Sequence, residues 1–125
     1  MKLLPHFEKA VILIEKLDGY ALNPEHPEGK HKARVFKSVL EIERRHASTL
    51  AEMIVAGLSK APAERGRSTE HGDLWTTWQE VTGLNGQSAI ITVAWMYKKE
   101  APRTPVLVSC YIESRNQEKL RKLFE

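Results

Sequence analysis

The sequence has little that would tie it to an oxidising or membrane environment. Its one cysteine, Cys110, has no internal disulfide partner and lies in an apolar, strand-like segment, which favours a packing role. No apolar segment approaches the ~18 residues that a membrane-spanning helix needs. The first six residues are interrupted by Pro5 and by charge, so they do not resemble a secretory signal. These features predict a cytoplasmic protein in a reducing compartment, with no membrane partner.

The sequence also lacks the common motifs of metal, nucleotide and nucleophile sites. There is no C-x-x-C or H-E-x-x-H spacing, no P-loop, no dinucleotide fingerprint and no G-x-S-x-G elbow. His26 and His31 straddle a loop–helix boundary with no Asp or Cys nearby, which is a poor ligand set for a metal. We therefore expect no metal and no cofactor.

Positive charge is concentrated in one part of the chain. The whole sequence carries a formal charge of +3. The segment from residue 26 to residue 37 reaches the same net charge, because it contains four basic residues and one acidic residue. Excess charge that is local indicates an anionic partner more specifically than a high isoelectric point does. The four basic residues are Lys30, Lys32, Arg34 and Lys37.

Helical periodicity dominates the first half of the chain. Residues 16–22 predict one or two helical turns. Residues 30–40 place their apolar side chains within one arc, which predicts an amphipathic helix with Lys30, Arg34 and Lys37 on its opposite face. A second helix is predicted to begin near Thr49, which has capping-box spacing with Glu52, and to end before Pro62.

Strand signals dominate the second half. The polar segment 63–72 predicts a loop, Asn85-Gly86 predicts a type I′ hairpin turn, and residues 116–124 predict a helix. The predicted strands cover residues 74–82, 89–97 and 106–112, the last with Val106, Val108, Cys110 and Ile112 pointing inward. The expected fold is α+β in one domain, residues 1–125 with a core of about 10–113. N-terminal helices pack on one face of an antiparallel meander of three to four strands, followed by a short C-terminal helix or tail, 114–125.

His26 and Lys32 are the two residues whose positions suggest chemistry. His26 lies on a loop with two prolines before the basic helix, where free backbone N–H groups favour anions, so it suits acid–base chemistry on a phosphate. The alternative is that His26 only packs between Pro24 and Pro27. Lys32 falls within the apolar arc of its helix. Either it extends past the edge of the core to water, or it projects into a cleft and binds an anion.

Several further residues are candidates for substrate binding. The basic helix offers Lys30, His31 and Arg34, although this face is also consistent with a solvated surface. The strands carry the polar groups Thr77, Ser109 and Tyr111. Arg103 precedes the last strand, where it either holds a phosphate or is simply a solvated loop charge. The three tryptophans either stack bases on the sheet or pack in and around the core, and the second interpretation is favoured: Trp75, Trp78 and Trp95.

Residues 16–36 resemble a small bacterial domain family of formally unknown function. The shared pattern is K-L-x-x-Y-x-L-N-P-x-H-P-x-G-x-x-K-A-x-x-F, and the resemblance extends over about residues 10–113. Glu41 stands where the family commonly has a glycine after the first helix. Domains of this kind resemble the superfamily of barnase-, EndoU-, colicin- and RelE-like ribonucleases, which packs N-terminal helices against a four-stranded antiparallel sheet.

The resemblance implies a toxin-like, metal-independent ribonuclease. The RNA 2′-hydroxyl would attack the adjacent phosphate, with His26 as the acid–base residue and Lys32 neutralising the developing charge. Arg103, Thr77 and Ser109 would support them. The implied partners are an RNA substrate and a small, acidic antitoxin or immunity protein. A non-catalytic module that holds RNA or a protein in the same basic cleft is the alternative.

Overall fold

The chain forms helices in its first half and a sheet in its second, as the patterns predict. A computed structural model describes all 125 residues. Single turns of helix occur at Phe7–Lys9, Leu17–Ala21 (π-helical), Arg44–His46, Leu58–Lys60, Ser114–Asn116 and Lys122–Phe124. The longer elements are α1 (Gly29–Leu40), α2 (Ala47–Gly57), β1 (Ala63–Thr69), β2 (Gly72–Thr82), β3 (Ser88–Lys98), β4 (Pro105–Ile112) and the short α3 (Gln117–Arg121). None of the helices has the length and apolar character that crossing a membrane requires.

The sheet has four strands in the order β1-β2-β3-β4, and every neighbouring pair is antiparallel. The prediction that residues 63–72 form a loop is wrong, because β1 lies there. This strand is at the edge of the sheet, and its five central residues are all exposed. A strand that is solvated on both faces has no apolar alternation, so its sequence gives no periodic signal.

The hairpin between β2 and β3 turns where Asn85-Gly86 predicts, but its geometry is different. The strands pair as far as Thr82 and Ser88, so the loop contains five residues. Gly86 has a positive φ of 81°, and Asn85 does not, which rules out a type I′ turn. The Asn85 side chain donates a hydrogen bond to the Val39 carbonyl at 3.1 Å, which attaches the hairpin to α1.

Strand β4 contains an irregularity that its sequence pattern does not reveal. Ala94 pairs with Ser109 but Trp95 pairs with Leu107, so Val108 is an extra residue. This bulge reverses the alternation on one side of it. Cys110 is buried as predicted, together with Ile112, whereas Leu107 takes the buried position expected for Val106 and Val108.

The helices pack on one face of the sheet over a single core of 22 buried residues that runs from Leu4 to Ile112. Phe36 of α1, Ile54 of α2 and Trp95 of β3 are among its fully buried members. The predicted Thr49–Glu52 capping box is absent. Instead Glu43 and His46 exchange reciprocal bonds six residues earlier, around the turn Arg44–His46 that leads into α2 at Ala47.

Helix α3 closes the end of the sheet beyond β4. The Gln117 side chain accepts a hydrogen bond from the Ile90 N–H at 2.7 Å and donates one to the Ile90 carbonyl at 3.0 Å. An amide side chain thereby replaces the strand partner that β3 lacks after Ile112. Arg121 also pairs with Glu80 at 2.8 Å, so the C-terminal segment is tied to the two central strands.

Candidate functional site

The loop before α1 is built from short-range hydrogen bonds. The Asn23 side-chain oxygen accepts the Glu25 N–H at 2.9 Å. The Nδ1 atom of His26 accepts the N–H groups of Glu28 and Gly29, each at 3.0 Å. Helices usually satisfy these first N–H groups with a Ser, Thr, Asp or Asn side chain. His26, two residues before the N-cap Glu28, therefore satisfies the N–H groups of Glu28 and of Gly29, the first residue of α1, and we call this its capping role.

This capping role indicates which ring nitrogen of His26 carries the proton. An Nδ1 atom that accepts two N–H groups carries no proton, so the ring proton is on Nε2. The Nε2–H group is free to donate a hydrogen bond to a ligand. Because Nδ1 is occupied by these two bonds, Nε2–H is the group that His26 can present to a ligand.

Gly29 lets the start of α1 approach the preceding π-helical turn. A Cβ atom at residue 29 would overlap the backbone carbonyl of Tyr20. The close approach brings the Tyr20 ring against the His26 ring, with 4.8 Å between centroids and an edge-on geometry. Gly29 and His26 therefore both fix the position of Tyr20.

Lys32 extends from the first turn of α1 to the same tyrosine. Its Nζ atom donates a hydrogen bond to the Tyr20 hydroxyl at 2.9 Å and lies 4.8 Å from the centroid of the Tyr20 ring. The Tyr111 ring of β4 is also near, at 5.9 Å. Lys32 is half-buried and forms no salt bridge. The side chain thus passes the core edge and ends among aromatic rings, as an ammonium group with no carboxylate partner.

Tyr20, His26 and Lys32 form one group, which we call the Tyr20 cluster. The Lys32 ammonium and the His26 ring each lie 4.8 Å from the Tyr20 ring centroid, so they are separated by at most twice that distance. All three side chains are half-buried, and none is sealed from solvent. The cluster therefore places two hydrogen-bond donors and a phenol hydroxyl around one aromatic ring.

A groove of about 770 Å³ runs along the other side of α1. Residues 30, 34 and 37 line up on one face because they are four and three positions apart. The turn between the helices adds Arg44 and Arg45, and Glu43 is the only acid, paired with Lys37 at 3.8 Å and Arg45 at 3.5 Å. We call this the basic groove, and its cations are Lys30, Arg34, Lys37, Arg44 and Arg45.

A smaller hollow of about 290 Å³ lies between α1 and the end of β4. His31 borders both this hollow and the basic groove, so the two are adjacent. We call it the Tyr111 hollow. Burial raises the pKa of the Tyr111 hydroxyl, and the neighbouring Glu113 carboxylate adds to the effect. Its walls are His31, Lys32, Val35, Tyr111 and Ile112.

The structure brings together five of the nine predicted site residues around α1 and adds Tyr111 from β4. His26 and Lys32 are in the Tyr20 cluster, and Lys30, His31 and Arg34 border the basic groove. The sequence interpretation missed Tyr20, Arg44 and Arg45. Tyr20 is the tyrosine of the shared pattern, and two adjacent arginines after a predicted basic helix were also a visible signal.

The other three predicted residues lie elsewhere in the structure. Thr77 is fully buried and accepts a hydrogen bond from the Trp95 indole at 2.9 Å, so no substrate group reaches it. Ser109 has a buried hydroxyl with no hydrogen-bond partner. Arg103 is exposed in the β3–β4 loop, at the opposite end of β4 from Tyr111, a strand length of about 20 Å.

The remaining candidates belong to the interior. Trp75 and Trp95 are buried in the core, and Trp78 is half-buried on the sheet. Burial raises the pKa of the Cys110 thiol to about 12, a shift that the Lys32 charge partly opposes. No group of three or more His, Cys, Asp or Glu side chains is placed to hold a metal ion.

Fold and site together define an α+β domain in which a basic groove adjoins a half-buried lysine–tyrosine pair. The chain belongs to the family described as domain of unknown function DUF6883, whose profile matches residues 3–114. No curated protein and no solved structure matches the chain.

Proposed function

We propose that this domain binds single-stranded RNA in the basic groove and cleaves it without a metal ion. The observation that carries the proposal is the position of Lys32, the member of the Tyr20 cluster that lies on α1, next to His31 at the border of the basic groove. A strand whose phosphates occupy the groove is therefore within one nucleotide or so of Lys32.

Charge favours a polyanionic ligand over a single small anion. The groove has five cationic side chains and one carboxylate, and its cations are spread along α1 and the next turn. Lysine and arginine side chains gain affinity for nucleic acid by neutralising successive phosphates and releasing counterions. The groove is long enough to hold several phosphates, because residues 30 and 37 are two helical turns apart.

The proposed reaction is an internal transfer at phosphorus. The RNA 2′-oxygen loses its proton and bonds to the adjacent phosphorus, and the bond to the 5′-oxygen breaks as that oxygen takes up a proton. The products are a 2′,3′-cyclic phosphate and a 5′-hydroxyl. Lys32 offsets the charge that develops on the phosphoryl oxygens, and the His26 Nε2–H group donates a hydrogen bond to one of them.

The capping geometry moves the proton-transfer role away from His26. Tyr20 is the other group of the cluster with an exchangeable proton, and its hydroxyl lies 2.9 Å from the Lys32 ammonium. Because the Tyr20 oxygen accepts the hydrogen bond from Lys32, its own O–H remains available to a ligand, and Tyr20 is the candidate acid–base residue.

The resemblance to toxin ribonucleases supplies the proposed partner. A toxin ribonuclease would degrade the RNA of the cell that makes it, so that cell needs an inhibitor. The five cations of the basic groove suit an acidic surface, and a small antitoxin or immunity protein that covers the groove would exclude RNA.

The test is cleavage of a labelled single-stranded RNA in excess chelator. Wild-type protein is expected to yield fragments with 2′,3′-cyclic phosphate ends, and a 2′-deoxy substitution at the cleaved position should stop the reaction. Lys32→Met is expected to lower the rate at saturating RNA by about 100-fold or more. Lys60→Met, at an exposed lysine beyond α2, is the matched control and should cleave normally.

The second candidate is a module that binds RNA without cleaving it. The use of His26 Nδ1 in the helix cap favours this alternative, since it removes the usual base of such reactions. If wild-type protein binds RNA tightly and yields no cyclic-phosphate product under any condition of pH and salt, the binding module is correct and the catalytic proposal is wrong.

A further inference from the structure

The Tyr111 hollow is the one depression next to the basic groove that is walled mainly by rings and aliphatic groups. Its volume of about 290 Å³ is that of about ten water molecules, which suits a planar ring system better than an ion. Tyr111 is half-exposed there, and Val35 and Ile112 provide apolar walls. Lys32 is the cationic wall residue, and the acid beside the hollow is Glu113, next to the Tyr111 hydroxyl.

We propose that the Tyr111 hollow is a subsite for one unpaired nucleobase of the strand whose phosphates lie in the basic groove. The proposal rests on the proposed binding of single-stranded RNA and deepens it by assigning a site to one base of that strand. A base stacks on an aromatic side chain through its face, which is available only when the base has left a duplex stack.

Continuity between the two sites supports this assignment. His31 borders both of them, so a nucleotide can place its phosphate on the groove side of His31 and its base on the Tyr111 side. The Lys32 ammonium lies 5.9 Å from the Tyr111 ring centroid. A base on Tyr111 therefore brings its own ribose toward Lys32 and the Tyr20 cluster, where the proposed chemistry occurs.

The backbone that carries Tyr111 is in place before any ligand arrives. Tyr111 lies on β4, which is paired along β3 and places Thr92 opposite it. Only the torsions of the side chain remain to be ordered when a base stacks on the ring, so stacking costs little conformational entropy.

The experiment measures binding of a 12-nucleotide single-stranded RNA, and of a duplex of the same sequence, by fluorescence anisotropy over a range of salt concentrations. Tyr111→Leu is expected to weaken single-strand binding about tenfold, the effect typical of removing one stacked ring. The slope of log affinity against log salt should stay unchanged, because the same phosphates are still neutralised. Tyr111→Phe and Tyr111→Trp retain a ring and should restore wild-type affinity.

Three outcomes would overturn the subsite. The subsite is contradicted if Tyr111→Leu is folded and binds single strands as tightly as wild type. It is also contradicted if Tyr111→Phe loses as much affinity as Tyr111→Leu, because the effect would then belong to the hydroxyl. If Tyr111→Leu does not fold, Tyr111→Trp and quenching of a 2-aminopurine base in wild-type protein decide the question. Failure of wild-type protein to bind any RNA would instead overturn the proposed function.

Discussion

The two sides of α1 carry the same kind of residue in different surroundings. On the groove side, Lys30, Arg34 and Lys37 are exposed, and the nearest acid, Glu43, neutralises part of their charge. On the other side, Lys32 is half-buried, has no acid partner and hydrogen-bonds Tyr20. Exposed charges attract any polyanion from a distance, and added salt weakens this attraction.

The difference separates affinity from chemistry. A half-buried ammonium beside aromatic rings is less well hydrated, so it interacts more strongly with an anion that is placed against it. The groove side should therefore set how tightly RNA binds and how binding depends on salt. The Lys32 side should set what happens to a phosphate once it is bound.

The largest effect on stability should follow from forcing the start of α1, which carries Lys32, away from Tyr20. Gly29→Ala places a Cβ against the Tyr20 carbonyl and should destabilise the protein by about 3 kcal/mol. Urea unfolding followed by circular dichroism measures this. The matched control is Gly19→Ala, whose Cβ meets only Glu15 at an ordinary 3.7 Å and should be neutral or stabilising. Equal stability of the two variants would contradict the close approach of Gly29 to Tyr20.

Removing charge from the groove side should change binding alone. Arg34→Met and Lys37→Met are each expected to weaken RNA binding by about 1 kcal/mol and to reduce the salt slope by about 0.7 for each phosphate that is no longer neutralised. Glu43→Gln should act in the opposite direction, because it frees Lys37 and Arg45. Cleavage at saturating RNA should be unchanged in all three variants, and a fall in that rate would show that the two sides of α1 are not separable.

The two hydrogen bonds that His26 accepts at the start of α1 can be tested by substituting this residue. His26→Ala leaves two helix N–H groups without a partner and should cost about 1 kcal/mol of stability. His26→Asn should recover most of it, since an Asn oxygen accepts the N–H two residues on, as Asn23 does with Glu25. Cleavage by His26→Asn at the full wild-type rate would show that the imidazole has only a structural role.

The smallest effect is expected at the far end of α1. Glu41 has a φ of 55°, in the left-handed region that glycine adopts without strain. Glu41→Gly should therefore stabilise the protein slightly, by about 0.5 kcal/mol, and leave RNA binding unchanged. Thermal unfolding is the measurement, and a fall in the midpoint would mean that the glutamate side chain makes a stabilising interaction of its own.

Much of the helical half was predictable from residue spacing. The amphipathic pattern of residues 30–40 and the two prolines before it lead directly to α1 and its loop. The position of β1 was not predictable, because a solvated edge strand has no alternation, and neither was the bulge at Val108, which depends on how β4 pairs with Trp95. For the site, spacing alone predicted the line of Lys30, Arg34 and Lys37.

Local patterns were thus sufficient for the order of elements, the basic face of α1 and the unusual place of Lys32 on it, because helix periodicity follows from backbone geometry. Packing between distant segments set the rest. Tyr20 meets Lys32 because Gly29 allows two backbone segments to touch, Arg44 and Arg45 close the groove because the chain turns back into α2, and Tyr111 joins the site because β4 ends beside α1. None of these contacts can be predicted from residue spacing, since each depends on the packing of segments that are far apart along the chain.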